Sequence, residues 1–443
     1  MATSTNAPAR GFSYSSLLVL AICWAAVLFD GYDLVVYGTV VSSLLEYEPW
    51  GLTPSQAGTI GSAALVGMFF GSLLVGTVTD IFGRRKILIF CMSWFSIGMG
   101  LCAASPSPEL FGLFRFLTGL GLGGVLPTAI ALNVEYAPTH RRNLYTALLI
   151  GGGFVAGGLL SALLAIPLIP AFGWRVMFWI GLVPLVLIVP LAYKFLPESI
   201  SFLLANDRRE EAEELARRFD VPAEAAADPE QEASEVSTRG NRLGALKSLF
   251  SKNYVVATLL FWVGSFMALL LIYAISTWLP DIMRRAGYPL GSSIAFLLVL
   301  DLGGIPGVIV NSTIADRLGS KAVLVPAFFL AAVTIFSLSF ELPSLALYAL
   351  VAAAGVGIHS TQTLINAYVA TYYPTASRAT ALGWTLAFGR LGGILGPILG
   401  GLLAGSGLGL EWNFYTFAAV ALLGMLMILA VPRSPVRPRE ALT

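Results

Sequence analysis

The sequence predicts an all-α membrane protein with twelve transmembrane helices in two pseudo-symmetric six-helix bundles. Three observations lead to this prediction: an excess of apolar residues, their grouping into long runs, and a pattern that occurs twice along the chain. Of the 443 residues, 57% are hydrophobic and only 12% are charged. A soluble domain carries about 25% charged residues, so a soluble enzyme is excluded. The net charge of +1 gives no electrostatic basis for binding nucleic acid.

Twelve apolar runs are long enough to cross a bilayer, which takes about 20 helical residues. We expect helices because lipid offers no partner to backbone N–H and C=O groups. Runs such as Leu182–Leu191 lack the alternation of a membrane barrel. The first run is too long for the core of a signal peptide and is interpreted as a retained span. The runs lie near 17–44, 55–79, 87–104, 109–134, 143–168, 174–195, 253–279, 290–314, 322–340, 343–371, 379–404 and 411–431.

The distribution of Lys and Arg predicts the orientation, because basic residues are enriched in cytoplasmic loops. With both termini in the cytoplasm, most of the 26 basic residues fall on the cytoplasmic side. Only Arg175, Arg284 and Arg285 fall on the outer side. We therefore expect a multi-pass protein of the cell membrane with cytoplasmic N- and C-termini.

One long hydrophilic stretch, residues 196–252, separates the first six runs from the last six. Within it, the spacing of charges in Asp207–Phe219 predicts an amphipathic surface helix, and residues 222–242 are rich in Ala, Glu and Pro. We expect an N-terminal bundle over residues 1–195, a cytoplasmic linker over 196–252 and a C-terminal bundle over 253–443.

A sequence pattern that occurs twice indicates that the two halves are repeats. DIFGRR at Asp80 matches DRLGSK at Asp316. Because each half has an even number of spans, the repeats are predicted to be parallel, as in secondary transporters that bind substrate between their halves near the midplane. The same offset of 236 residues relates Gly83 to Gly319, Tyr136 to Tyr372, Pro138 to Pro374 and Arg142 to Arg378.

Several motifs resemble those of the major facilitator superfamily. The segment GTVTDIFGRRK, which begins at Gly76, looks like the signature loop of that family, and DRLGSK looks like its weaker copy. RFLTGLGLGG, from Arg115, is similar to the basic motif of span 4. Pro197-Glu198-Ser199 resembles the start of a further motif, without its usual Pro-Arg-Trp continuation. The resemblance covers nearly the whole chain and implies the major facilitator fold.

A second resemblance is more specific. Asp30-Gly31-Tyr32-Asp33 resembles the Asp-Gly-x-Asp motif of the aromatic acid:proton symporters, and GRLGG, from Gly389, fits the same subfamily. This resemblance implies proton-driven uptake of a benzoate-like or hydroxybenzoate-like acid by alternating access. The implied partners are a small aromatic carboxylate, protons and the lipid bilayer. We expect a monomer that has no enzymatic activity, cofactor or metal.

Two acidic residues of span 1 are candidate proton carriers. Asp30 and Asp33 are three residues apart and share a helix face. Two carboxylates so close in a medium of low dielectric constant disfavour double ionisation, so one of them can hold a proton. The alternative is a capping role or a fixed ion pair. Arg115 is expected at a similar depth to Asp33, which makes the two residues natural partners. Its role is either in proton coupling or in holding the structure together.

Arg390 in span 11 is the candidate anchor for the substrate carboxylate, because a guanidinium stays charged and binds a carboxylate in a fork. The alternative is an internal salt bridge with Asp301 or with an aspartate of span 1.

Further side chains are predicted to line the substrate site. Gln362 and Asn366 follow His359 at helical spacing, so this face of span 10 is polar. The histidine can titrate or simply form a hydrogen bond. Tyr37 and Trp384 can stack on an aromatic ring, or serve as packing.

A set of residues near the cytoplasmic ends of the spans is expected to form a gate. We expect Glu135 to form a salt bridge near Arg142, and Asp80 to form a latch with the arginines that follow it. The predicted gate residues are Gly76, Asp80, Gly83, Arg84, Arg85, Glu135, Arg142, Asp316 and Arg378.

Other functions fit the sequence less well. A symporter of another small organic anion or of a sugar-type substrate remains open, although buried arginines favour anions. An enzyme is disfavoured because no metal motif or Ser/His/Asp set can be placed at one depth. A channel does not account for two six-span repeats that each carry the signature loop.

Overall fold

The computed structural model describes residues 14–138, 142–219 and 247–432. These residues form helices and contain no strand. Twelve of the helices are long and apolar enough to cross a membrane, which confirms the predicted number. Spans 1 to 12 are Ser16–Leu45, Pro54–Gly76, Arg84–Ala104, Pro108–Tyr136, Leu144–Phe172, Arg175–Phe195, Val255–Arg285, Leu290–Leu318, Ser320–Ser337, Ser344–Tyr372, Ser377–Gly405 and Glu411–Ala430.

Two short helices, Ile200–Ala205 and Arg209–Phe219, follow span 6. We call them the linker helices. The second corresponds to the amphipathic helix predicted over Asp207–Phe219. Its residues Ala212, Ala216 and Phe219 are buried. The predicted Ala/Glu/Pro-rich stretch 222–242 lies outside the described residues.

The helix ends follow local sequence signals. Before span 2, the Thr53 side chain accepts a hydrogen bond from the backbone N–H of Gln56, and the Gln56 side chain caps Thr53 in return. Gly83 separates the helices of spans 2 and 3, and its φ is 91°. Residues with a Cβ rarely adopt this backbone conformation. Gly319, its predicted repeat equivalent, has a φ of 89° between spans 8 and 9. The two loops therefore share a conformation as well as a motif.

The packing of the spans is repeated between the two halves of the protein. In the first half, span 1 packs on span 5, and span 4 packs on spans 2 and 3. In the second half, span 7 packs on span 11, and span 10 packs on spans 8 and 9. Adding six to the number of each span in the first half gives the packed pairs of spans in the second half. This confirms two pseudo-symmetric six-helix bundles.

The halves meet through spans 1 and 7, 2 and 11, and 5 and 8. We call the side where the linker helices lie the linker face, and the other side the opposite face. At the opposite face, Glu46 pairs with Arg284 across the interface at 3.2 Å, and Gly38 packs on the backbone of Ser276. Toward the linker face, Gly151 and Gly383 have no neighbouring atoms on the side where a Cβ would project. Neither glycine makes a close contact of the kind that Gly38 makes at the opposite face.

Close helix packing depends on small residues, as is common in membrane bundles. Spans 2 and 4 approach so closely that a Cβ on Gly119 would overlap the backbone of Ala64. The same holds for Gly67 against the backbone of Phe116. Glycine therefore sets the distance between these two spans.

We expect Gly119→Val to destabilise the protein, because a larger residue in a closely packed interface typically costs about 1–3 kcal/mol. Gly383→Ala is the matched control, since its Cβ meets open space and alanine favours a helix. Thermal unfolding of the purified proteins in one detergent checks this. Equal midpoints for the two variants would contradict the close approach of spans 2 and 4.

Candidate functional site

A buried ion pair joins spans 1 and 4 in the first half. Arg115 Nη1 lies 2.5 Å from Asp33 Oδ1, and both residues are almost fully excluded from solvent. The proximity expected from their depths is therefore present. Asp33 Oδ2 and Arg115 Nε have no hydrogen-bond partner, so the pair is only partly satisfied.

Aromatic rings surround this ion pair. The Arg115 guanidinium carbon lies 5.6 Å from the centre of the Tyr37 ring and 5.9 Å from that of Phe178. The Tyr37 hydroxyl donates to the backbone carbonyl of Ala57 at 2.5 Å, and the whole residue is buried. Both the ring and the hydroxyl of Tyr37 thus have partners within the first bundle, which is the packing role left open for it; contact with substrate stays a prediction.

Asp30 lies within electrostatic range of Asp33 on its own helix and of one cation of the second half. It is buried, its Oδ1 has no hydrogen-bond partner, and it interacts electrostatically with Arg390 of span 11. Tyr273 of span 7 interacts electrostatically with both residues. Asp30 and Arg390 each lie near the middle of their helices. The two aspartates of span 1 differ in their partners: Asp33 forms an ion pair with Arg115, whereas Asp30 forms no ion pair within the described residues.

Arg390 also reaches across the interface to span 2, where its Nη1 donates a hydrogen bond to the hydroxyl of Ser72. Among residues 14–138, 142–219 and 247–432, no carboxylate lies within ion-pair distance of its guanidinium. The salt bridge with Asp301 or a span 1 aspartate, which we considered as an alternative, is therefore not formed in this structure. The guanidinium retains donors for an anion.

The polar residues of span 10 form two groups. Gln362 accepts a hydrogen bond from Ser265 of span 7 at 3.1 Å and donates to Asn366 at 3.0 Å. One helical turn away, His359 Nε2 lies 3.3 Å from Asp301 Oδ1 of span 8. Asp301 therefore pairs with the histidine rather than with Arg390.

Trp384 does not share a face with Arg390. The two residues are six positions apart, which places them about 120° apart around a helix. Trp384 continues an exposed apolar stripe with Leu391 and Leu395, whereas Gly392 packs on span 7. The Trp384 ring stacks on Trp262, at 5.7 Å between centres, which is the packing role left open for it; contact with substrate stays a prediction.

Glu135 is the centre of a network at the linker-face end of span 4. Its buried carboxylate pairs with Arg84, accepts a hydrogen bond from the Ser199 hydroxyl at 2.8 Å, and accepts one from the Ile200 N–H at 2.9 Å. The salt bridge predicted for Glu135 is therefore present, and its partner is Arg84. The network attaches the first linker helix to the bundle.

Glu198 strengthens the same attachment. Its Oε1 accepts hydrogen bonds from the N–H groups of Arg85 at 2.9 Å and Ser199 at 3.0 Å. A Cβ on Gly83 would collide with the Glu198 carboxylate. Four predicted gate residues thus take part in contacts that connect elements of the first half to each other: Gly83, Arg84, Arg85 and Glu135.

The remaining gate residues are more scattered. Gly76 adjoins open space, Asp316 is exposed, and Arg142 and Arg378 are half-buried. The side chain of Asp80 lies outside the described part of the chain. Among the described residues, the salt bridges of the predicted gate set stay within the first half.

Two residues that interact with Arg390 were not predicted from the sequence. Tyr273 lies in one of the most apolar runs, and Ser72 is a small hydroxyl among Gly and Leu residues. Neither belongs to a motif. Only the contact between spans 1, 2, 7 and 11 identifies them.

Comparison with known proteins is consistent with this architecture. The sequence model of the Major Facilitator Superfamily matches residues 23–344 and 302–442. The inward-open structure of the xylose transporter XylE from E. coli superposes with a TM-score of 0.77 at 18% identity, over 96% of this chain and 98% of that chain. At that identity the match concerns the fold.

Three relatives align along most of their length. The benzoate transport protein of Acinetobacter baylyi is 37% identical over 93% of this chain and 89% of its own. The gentisate transporter of Corynebacterium glutamicum is 36% identical over 94% of this chain and 88% of its own. The gallate transporter of Pseudomonas putida is 36% identical over 99% of this chain and 96% of its own. The chain therefore belongs to the major facilitator superfamily, groups with these relatives, and is a membrane transporter rather than an enzyme.

Proposed function

We propose that the protein is a proton-coupled symporter that takes up a small aromatic carboxylate across the cell membrane. The linker face and both termini are cytoplasmic in this proposal, because that orientation follows the distribution of Lys and Arg. The names of the relatives, which transport benzoate, gentisate and gallate, support an aromatic acid as the substrate class. The protein acts as a monomer without a cofactor.

One observation carries the assignment of the anion site: Arg390 lies at mid-depth between the halves without a carboxylate at ion-pair distance in the described chain. A cation in the membrane interior is costly unless it has a function or a partner. Here Ser72 satisfies one donor of the guanidinium. A substrate carboxylate would accept from the remaining donors in a bidentate arrangement.

Proton coupling is assigned to Asp30 and Asp33. Asp30 is buried beside Arg390, so a proton on Asp30 and an anion on Arg390 together leave the charge of the cluster balanced. Asp33 is held by Arg115, so its protonation would weaken the link between spans 1 and 4. The two sites thus give the proton one position next to the substrate and one inside the first bundle.

The transport cycle follows from the interface. A proton and the acid load from outside while the opposite face is open. The halves then rock about the mid-depth cluster and reach the state described above, in which the opposite face is closed by contacts such as Glu46 with Arg284. Release of both into the cytoplasm completes uptake.

We predict that Arg390→Gln abolishes saturable uptake of benzoate and 4-hydroxybenzoate in proteoliposomes, because it removes the charge that binds the carboxylate. Arg317→Gln is the matched control, since Arg317 is exposed at the linker-face end of span 8. Radiolabelled uptake at several concentrations separates a loss of affinity from a loss of rate. Wild-type uptake by Arg390→Gln would contradict the assignment of the anion site.

Proton movement gives an independent prediction. Addition of substrate outside liposomes that contain a pH-sensitive dye is expected to acidify the interior, and a protonophore is expected to prevent accumulation. Asp30→Asn is expected to lose accumulation against a gradient but to keep exchange of labelled for unlabelled substrate, because it mimics the protonated carboxyl. Accumulation by both Asp30→Asn and Asp33→Asn under a proton gradient would overturn the coupling role.

The Asp33–Arg115 pair also has a structural consequence. Removing one partner of a buried ion pair costs about 3–5 kcal/mol because the other charge is left uncompensated. We expect Asp33→Asn and Arg115→Gln to lower the thermal midpoint individually, and the double variant to lose less than the sum. A strictly additive double-mutant cycle would show that the two charges do not interact.

A further inference from the structure

A cavity of about 610 Å³ lies at the linker-face end of the first half, away from the Arg390 cluster. It is enclosed by the turn between spans 2 and 3, the end of span 6 and both linker helices. Nothing in the transport proposal uses it. Its charged lining residues are Arg85, Lys86, Lys194, Glu198, Arg208, Glu211, Glu214 and Arg218.

Part of this charge is internally compensated. Arg208 donates two hydrogen bonds to the Glu211 carboxylate, at 2.8 Å and 2.5 Å. The hydrogen bond from Arg208 lowers the pKa of Glu211, so this carboxylate stays ionised and offsets the arginine. The Glu198 carboxylate accepts hydrogen bonds from the backbone N–H groups of Arg85 and Ser199.

The remaining cations are not compensated. Within the part of the chain that the structure describes, Arg85, Lys86, Lys194 and Arg218 have no carboxylate at ion-pair distance. Arg85 donates to the Tyr193 carbonyl at 2.5 Å, which leaves its charge in place. Glu214 is the one further acidic residue in the lining. The cavity therefore has a local excess of positive charge.

The cavity also lies at the membrane boundary. Lys86 is in the first turn of span 3, and Lys194 precedes the last residue of span 6. Large apolar residues form its edge: Ile81, Phe82 and Phe195 are 64%, 55% and 41% exposed. Cations beside exposed apolar side chains at this depth match a molecule with an anionic head and hydrocarbon chains.

We propose that this cavity binds the headgroup of an anionic phospholipid from the leaflet on the linker face. The phosphate contacts Lys86, Lys194 and Arg218, and the acyl chains lie along Ile81 and Phe82. Basic pockets on the cytoplasmic side of membrane proteins bind anionic headgroups in this manner. The bound lipid connects the second linker helix to the turn between spans 2 and 3. The proposal is independent of which substrate is transported.

The test uses the purified full-length protein and phosphatidylglycerol, with phosphatidylcholine as the neutral comparison. Native mass spectrometry and thermal unfolding report binding and stabilisation. The triple variant Lys86→Gln, Lys194→Gln, Arg218→Gln is expected to retain at least tenfold less phosphatidylglycerol. The control triple variant Arg209→Gln, Lys247→Gln, Lys252→Gln removes the same charge outside the cavity and is expected to bind as the wild type does.

Three outcomes would overturn the proposal. Equal loss in both triple variants would indicate a general attraction to basic residues rather than a site. Equal stabilisation by inorganic phosphate or glycerol phosphate would indicate a soluble anion as the ligand. Unchanged binding by Lys194→Gln alone, measured in case the triple variant does not fold, would exclude this cavity.

Discussion

The structure depends on holding ionised groups inside a medium that cannot solvate them. Span 1 carries two carboxylates near the middle of its length, and only one of them forms an ion pair within the described residues. Asp33 pairs with Arg115 of its own bundle, whereas Asp30 is buried without an ion-pair partner. Because an isolated charge is costly in the membrane interior, the Asp33–Arg115 pair constrains which helix can adjoin span 1 and how deep each partner lies.

The two aspartates of span 1 differ in how they are held. The Asp33–Arg115 pair is completed inside one rigid unit and is enclosed by Tyr37 and Phe178. Asp30 and Arg390 belong to different halves and form no ion pair within the described residues. Arg390 instead donates a hydrogen bond to the uncharged Ser72 hydroxyl across the boundary between the halves, which leaves its positive charge without a compensating anion.

The fold followed from the sequence because hydrophobic run length and the 236-residue repeat are properties of the chain alone. The Asp33–Arg115 contact was also accessible, since depth follows from residue number along a helix. The position of Trp384 relative to Arg390 was harder to predict, because depth does not specify the side of the helix and six residues correspond to about 120° around it. Tyr273 and Ser72 were not predicted because they carry no charge or motif. The salt bridge of Glu135 was predicted, but its partner was not, because several arginines lie near this end of the spans.

The opposite face is closed partly by glycine. Gly38 lies against the main chain of Ser276, and Gly58 lies against Gly401. A contact of main chain with main chain has no side-chain rotamers to rearrange, so no rotation of a side chain can loosen it. Widening this face therefore requires the helix axes themselves to separate.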